Sequence, residues 1–372
     1  MSDYKSRLDK VLESINQRGL DGMIVYSNGV YMMLRPNFFQ YFAELRPVGP
    51  RNAVVVSKKG DAVLLVTPEW ESARAARKSW PKDVRGSSNF IPDLVKIMGS
   101  LGIKGNVGVA GAGEMNEAVY TAINGQAKIK PADDIIEGIA RKKSESDIAL
   151  IRKVARIADI GFNAFLEYSR PGVREYELAA EMEYAMRAAG ADDNFTLMSA
   201  GKHNFAMHQA TDKRMEPGDI VLGEITPVCE GQFIQLCRTI VLGKPSAVLA
   251  EKYRMLVHSL DVSLKTIQAG KPSSVIATSM NKVISDAGYA KYCAPPYMRT
   301  RGHGLGVGSI HPGGNIDEEN QNILEVNHAL VVHPNQYIPE TGYLACGESV
   351  LVTPAGIERL AKTETKLHIK EV

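Results

Sequence analysis

Residues 221–239, VLGEITPVCEGQFIQLCRT, set a carboxylate and a carboxamide into an otherwise apolar hairpin. With the turn centred on PVCEG, Glu224 and Gln235 become direct cross-strand neighbours, their Cβ atoms roughly 4.5–5.5 Å apart. Period-two alternation places Thr226, Phe233 and Cys237 on the same face. Such a face is either the floor of a polar pocket or a solvated sheet surface. Three later segments favour the pocket. TRGHGLGVGSIHPGG carries His303 among glycines that leave room for a ligand, with His311 eight residues on. ALVVHPN ends an apolar run on His333, and ACGESVLVTPAGIERL carries Glu348 just before a strand. Imidazoles exchange protons near neutral pH, and with carboxylates they also form the mixed nitrogen and oxygen donor sets that suit zinc or iron. None of the eight histidines precedes His203, so the chemistry is expected in the second half of the chain.

The elements that must carry these residues are legible in outline. The first 135 or so residues alternate helical and strand-like patterns. DGMIVYS reads as a strand, NAVVVSKKGDAVLLV reads as a hairpin turning at KKGD, and NVGVAGAGE reads as a strand ending in a turn rather than a nucleotide loop. A charged break at ARKKSESD precedes a helix with Ile148, Ile151, Ala155, Ala158, Phe162 and Phe165 on one stripe. A second helix spans about Glu175 to Gly190, and a third helical stretch lies around 246–287. Between them, strand-like runs predict an antiparallel sheet, so the fold class is α/β (α+β).

Forty-four basic and 42 acidic side chains among 372 residues leave little net field, which argues against nucleic acid or an anionic membrane as partner. No signal peptide or membrane span is apparent, so a cytoplasmic location is expected. The four cysteines at 229, 237, 293 and 346 match neither a disulfide framework nor a CxxC zinc site.

The chain resembles the creatinase, aminopeptidase P and prolidase family of M24-like, pita-bread proteins. RLDKVLESINQRGLDGMIVYS, KKSESDIALIRKVARIAD, SAGKHNFAMHQATDKRMEPGDIVL, RGHGLGVG and GESVLVTPAGIERL follow in that family's order. The resemblance implies a small N-terminal creatinase-like domain over 1–140 and a C-terminal pita-bread domain over 141–372. It also implies a homodimer in which Tyr31, Phe38 or Phe39 reaches toward the partner's pocket. Family peptidases hold two divalent metals with two aspartates, a histidine and two glutamates. The matching positions here are Glu224, Gln235, His303, His333 and Glu348, with three of the five changed. Two glutamates cannot balance two divalent cations, so no metal pair and no cofactor is expected.

By resemblance, the expectation is a metal-independent hydrolase that cleaves a C–N bond of a small non-peptide molecule, as creatinase and ectoine hydrolase do. His208, in FAMHQAT, is the expected acid/base, with Glu348, His303 and His333 as further catalytic residues. Glu224, Gln235, His311 and Arg301 would bind substrate, with Arg299 as a second carboxylate partner and Arg238 holding the site from behind. Cys237 and His333 stand near positions where creatinase has glutamates, which argues against creatine itself. One alternative is a single zinc, iron or manganese held by His303, His333, Glu348 and Glu224 in a hydrolase, lyase or Xaa-Pro-type peptidase. Another is a catalytically dead binding module.

Overall fold

The computed structural model describes residues 3–30 and 35–372. The chain divides into two compact units, Met1–Ser146 with Val307–Pro312, and Asp147–Gly306 with Gly313–Val372.

In the first unit, strands β1 (Gly22–Ser27), β2 (Asn52–Ser57), β3 (Ala62–Val66), β4 (Asp83–Gly86), β5 (Asn106–Ala110) and β6 (Lys128–Pro131) form one mixed sheet in the order 4-3-2-1-5-6. Helices α1 (Tyr4–Gln17), α2 (Phe38–Ala43), α3 (Ser72–Lys78), α4 (Phe90–Ser100), α5 (Glu117–Gln126) and α6 (Asp133–Arg141) accompany it. The strands are apolar on both faces because both faces are covered. Met23, Val25, Val54 and Val56 pack in one cluster, and Ile24, Tyr26, Val55 and Leu65 pack in another. Phe38 and Phe39 are buried in α2 within the first cluster. They are therefore core residues of their own unit, not residues presented to a partner; Tyr31 lies outside the described residues.

The second unit opens with α7 (Glu145–Tyr168) and α8 (Glu175–Ala188). It continues with β7 (Asp193–Gly201), β8 (Ile220–Cys229), β9 (Gln232–Phe233) and β10 (Leu236–Leu242), then α9 (Ala247–Leu264) and α10 (Ser274–Ile284). The remaining strands are β11 (Gly302–Leu305), β12 (Ser309–Asn315), β13 (Ala329–Val332), β14 (Gln336–Ile338), β15 (Gly342–Leu344), β16 (Glu348–Thr353), β17 (Gly356–Arg359) and β18 (His368–Lys370). Two main sheets result, ordered 18-10-8-7 and 12-11-13-16-17, with β9 paired to β8 and β14 paired to β15.

Each sheet receives helices on one face. The apolar stripe of α7 meets β8 where Gly223 makes room for the Phe165 ring, and an added Cβ there would stand 2.8 Å from it. In the second sheet, Leu256 and Leu260 of α9 share a cluster with Leu330, Val332, Val350 and Val352. Even-numbered residues of β13 and β16 therefore point toward α9. Odd-numbered ones point the other way, by the two-residue period of a strand.

Candidate active site

The β8–β10 hairpin turns at Glu230–Gly231, both with positive φ (49° and 83°), and Cys229 pairs with Gln232 around them. This is the two-residue turn whose twist matches a hairpin, and glycine at its second position satisfies the left-handed backbone without strain. It lies one residue beyond the PVCEG centre predicted from sequence. Consequently Glu224 faces Cys237, not Gln235. A shift of two in the facing partner preserves the face, so Gln235 remains beside Glu224 on a diagonal, with Cβ atoms about 7–8 Å apart.

A single row of side-chain positions then crosses from one sheet to the other. Glu224 faces Cys237, Cys237 bridges Gly347, and a Cβ built on Gly347 would stand 2.7 Å from the Cβ of His333. His303 joins the same face because it pairs with Val331, two residues before His333. The His303 and His333 rings meet edge to face with centroids 5.8 Å apart. His303 Nδ1 lies 3.0 Å from the Gly304 carbonyl, which fixes its proton on Nδ1.

Electrostatics on this face favour neutral groups. Burial, with smaller contributions from His303 and Arg301, pushes the His333 imidazole down to about 3. Burial also pushes the Glu224 carboxyl up to about 7 against the attraction of Arg299, although part of the side chain remains accessible. The Cys237 thiol is raised by burial and then by Glu224. Its sulfur accepts N–H groups from Asn335 at 3.5 Å and Gln235 at 3.7 Å. Gln235 is held further by Ser349, whose hydroxyl accepts from its N–H and donates to its carbonyl. Gln235 Oε1, His333 Nδ1 and Thr226 Oγ1 are left buried without a hydrogen-bond partner. Unpartnered buried polar atoms are rare in folded proteins and mark places where a ligand or water completes the structure.

The remaining site residues read from sequence are not part of this row. Glu348 pairs with Val332, so its side chain points to the opposite face, toward α9. There its carboxylate accepts from Arg238 Nη2 at 2.6 Å and from the Thr365 hydroxyl. It is a buried structural ion-pair partner, and the inward position beside His333 belongs to Gly347. Alternation along ESVLVT, with Val350 and Val352 facing the core, contained that signal. Arg301 is fully buried, with its guanidinium donating to Asn281, Gln336 and the Asn335 carbonyl. Its guanidinium is engaged by these three acceptors, all within the protein. His311 lies in the N-terminal unit with Nδ1 3.4 Å from Glu137. His208 is exposed; its backbone bridges Met198 and its Nδ1 lies 2.8 Å from the Gln209 carbonyl. Sequence reasoning missed Asn335, whose amide is oriented by Cys346 N–H at 2.9 Å.

Residues 149–354 match the description "Metallopeptidase family M24", and residues 7–139 match "Creatinase/Prolidase N-terminal domain". The chain belongs to metallopeptidase family M24. This M24 chain is 27% identical to the Xaa-Pro dipeptidase of Pyrococcus furiosus over 98% of its own length and 99% of that protein. Among solved structures it resembles the prolidase of Pyrococcus horikoshii OT3, with TM-score 0.85 and 25% identity, covering 97% of this chain and 99% of that one. It also shares its fold with an Xaa-Pro dipeptidase from Bacillus anthracis, with TM-score 0.85 and 24% identity, covering 99% and 100%.

Two expectations fall with these matches. The reading as a metal-independent hydrolase of a non-peptide molecule is overturned, because two relatives that match this M24 chain end to end are Xaa-Pro dipeptidases. The expectation that no cofactor is involved is overturned by membership in a family of metallopeptidases. The residues on the face nevertheless do not fit a pair of divalent ions. They offer one carboxylate, Glu224, together with two imidazoles, a neutral amide at Gln235 and no donor at Gly347. Hard bridging cations require more anionic oxygen than this. Among the described residues, no group of three or more His, Cys, Asp or Glu side chains is arranged to hold an ion. The single-ion set that included Glu348 is likewise not assembled, since Glu348 is on the other face.

Proposed function

We propose that this chain is a hydrolase that cleaves the amide bond of small peptide-like substrates, with Xaa-Pro dipeptides as the leading class. The observation that carries the reading is the end-to-end similarity to the Xaa-Pro dipeptidase of Pyrococcus furiosus. The row of side chains from Glu224 to His333 supports it, because its unpartnered polar atoms call for a polar ligand.

In this reading His303 and the neutral His333 contact the scissile amide. His303 carries its proton on Nδ1, so Nε2 is the acceptor side, while His333 is uncharged and positions polar groups without adding a fixed charge. His208 is the acid/base: with its Nδ1 proton directed at Gln209, Nε2 takes a proton from water and returns it to the leaving nitrogen. A homodimer is part of the proposal and is tested by light scattering of the purified chain. Among the described residues, no helix is long and apolar enough to cross a membrane.

The test is proline release from a panel of Xaa-Pro dipeptides, with Xaa-Ala dipeptides for comparison. It is measured on protein as purified and after addition of Mn²⁺, Co²⁺ or Zn²⁺. Preferential release from Xaa-Pro is expected. No hydrolysis of any peptide in any metal condition would remove the reading.

A further inference from the structure

We propose that the first unit binds a free α-amino acid with an apolar side chain, in a recess between the end of β1, helix α2 and the turn after β5. The recess belongs to the first unit, whereas the row from Glu224 to His333 belongs to the second, so the site goes beyond the peptidase reading.

The turn is made by NVGVAGAGE, where β5 ends at Ala110 and Gly111 redirects the chain with φ 84°. A Cβ on Gly111 would stand 2.6 Å from the Tyr26 carbonyl. Glycine is therefore needed both for the left-handed backbone and for the close approach to β1. Asp133 Oδ1 fixes the turn by accepting the Gly111 N–H at 2.7 Å. The short 3-10 turn Ala112–Glu114 follows and brings Glu114 to the end of β1, where its Oε2 accepts the Asn28 N–H at 3.3 Å.

The recess has a volume of about 310 Å³ and opens to solvent. Phe38, Phe39 and Pro47 give it apolar walls, and Gln40, Arg46 and Glu114 give it polar ones. Gln40 is 6% exposed, and its Oε1 has no hydrogen-bond partner. An amide oxygen only accepts, so its complement is a donor. Glu114 supplies a second acceptor. Burial raises its carboxyl to about 7; the Asn28 N–H and Arg35 hold it down, and Asp133 pushes it up. An ammonium beside this carboxyl favours the charged form that burial disfavours. Arg46 brings the opposite sign to the same recess. The lining thus calls for a cationic N–H donor and an anion on one small molecule. Those are the two ends of a zwitterionic amino acid, and the apolar walls take its side chain.

The experiment measures binding of L-leucine, isoamylamine and N-acetyl-L-leucine to the full chain by calorimetry. Leucine carries both charges, whereas isoamylamine lacks the carboxylate and N-acetyl-leucine lacks the ammonium. Leucine is expected to bind at least about tenfold more tightly than either, the worth of one charged hydrogen bond. Glu114→Gln and Gln40→Leu are each expected to weaken leucine binding by about tenfold, and Glu224→Gln to leave it unchanged. Glu114 must ionise to hold the ammonium, so leucine binding at about pH 6.5 is expected to release a fraction of a proton. That release is read as an enthalpy that depends on the buffer, and Glu114→Gln should abolish the dependence. Circular dichroism checks the fold of each variant. No binding of leucine, equal binding of leucine and either analogue, or full affinity in either recess variant overturns the site. Loss of binding in Glu224→Gln but not in Glu114→Gln places the amino acid in the row and overturns it as well. Leucine binding in the recess by a chain that hydrolyses no peptide would instead sink the peptidase reading and leave the recess standing.

Discussion

Gly347 lies against His333 so closely that a Cβ on the glycine would sit 2.7 Å from the histidine Cβ and 3.2 Å from that of Cys237. No side chain other than hydrogen fits that junction of the two sheets. Gly347→Ala is therefore expected to force the sheets apart at a point where packing is closest. Overpacking of this kind costs typically about 1–3 kcal/mol, which a urea denaturation midpoint will report. An unchanged midpoint would show that the junction relaxes freely.

Arg238 and Glu348 form a buried ion pair on the reverse of the same junction, with further hydrogen bonds to the Gly347 and Thr363 carbonyls. Removing one partner of such a pair leaves an uncompensated charge and costs about 3–5 kcal/mol. Glu348→Ala and Arg238→Met should each show that loss in chemical denaturation, and the double variant should lose less than the sum.

The Glu224 carboxyl is raised from its ordinary 4.5 to about 7. The native state thus holds the proton more tightly than the unfolded chain does, so the contribution of this one group to stability is fully present below pH 4.5 and is lost as pH rises through 7. At 1.36 kcal/mol per pH unit, the loss is at most about 3 kcal/mol, and it is smaller because the side chain is partly exposed. Glu224→Gln should match the wild type near pH 4.5 and exceed it in melting temperature near pH 8. A wild-type advantage at pH 8 would indicate that the carboxylate already has a partner.

His333 gives the opposite slope. Its imidazole is depressed from 6.5 to about 3, so between those values the unfolded chain takes up a proton that the native state refuses. Stability is therefore lost as pH falls below 6.5. His333→Gln should flatten that acid limb in a series of denaturation curves from pH 7 to pH 4, while the limb above pH 7 stays unchanged.

Much of the architecture was legible because periodicity is strong. The α7 stripe from Ile148 to Phe165 is buried as its spacing predicts, and KKGD turns the β2–β3 hairpin. Positions around the site were harder, because one residue of slip changes a partner or a face. The run PVCEG admits two turn centres, and only positive φ at both Glu230 and Gly231 selects one. Glu348 is placed inward by its match to a ligand position of the resembling family, with its place just before an apolar run as support. The alternation of Val350 and Val352 outweighs that, since those residues must meet α9. His311 illustrates a different limit: eight residues from His303 in sequence, it belongs to another compact unit, which no local pattern reveals.

The stretch Val307–Pro312 completes the first unit from far downstream, with Val307 in its core and its carbonyl receiving the Asn37 N–H at 2.8 Å. A nascent chain therefore cannot finish this unit when residue 146 leaves the ribosome. At about 5–20 residues per second, the missing piece arrives on the order of ten to thirty seconds later, and until then the Val307 slot is open to other apolar segments. A gene fragment ending near residue 146 lacks the Val307 plug and the Asn37 acceptor, and is expected to melt at a lower temperature than a version that carries residues 307–312 as well.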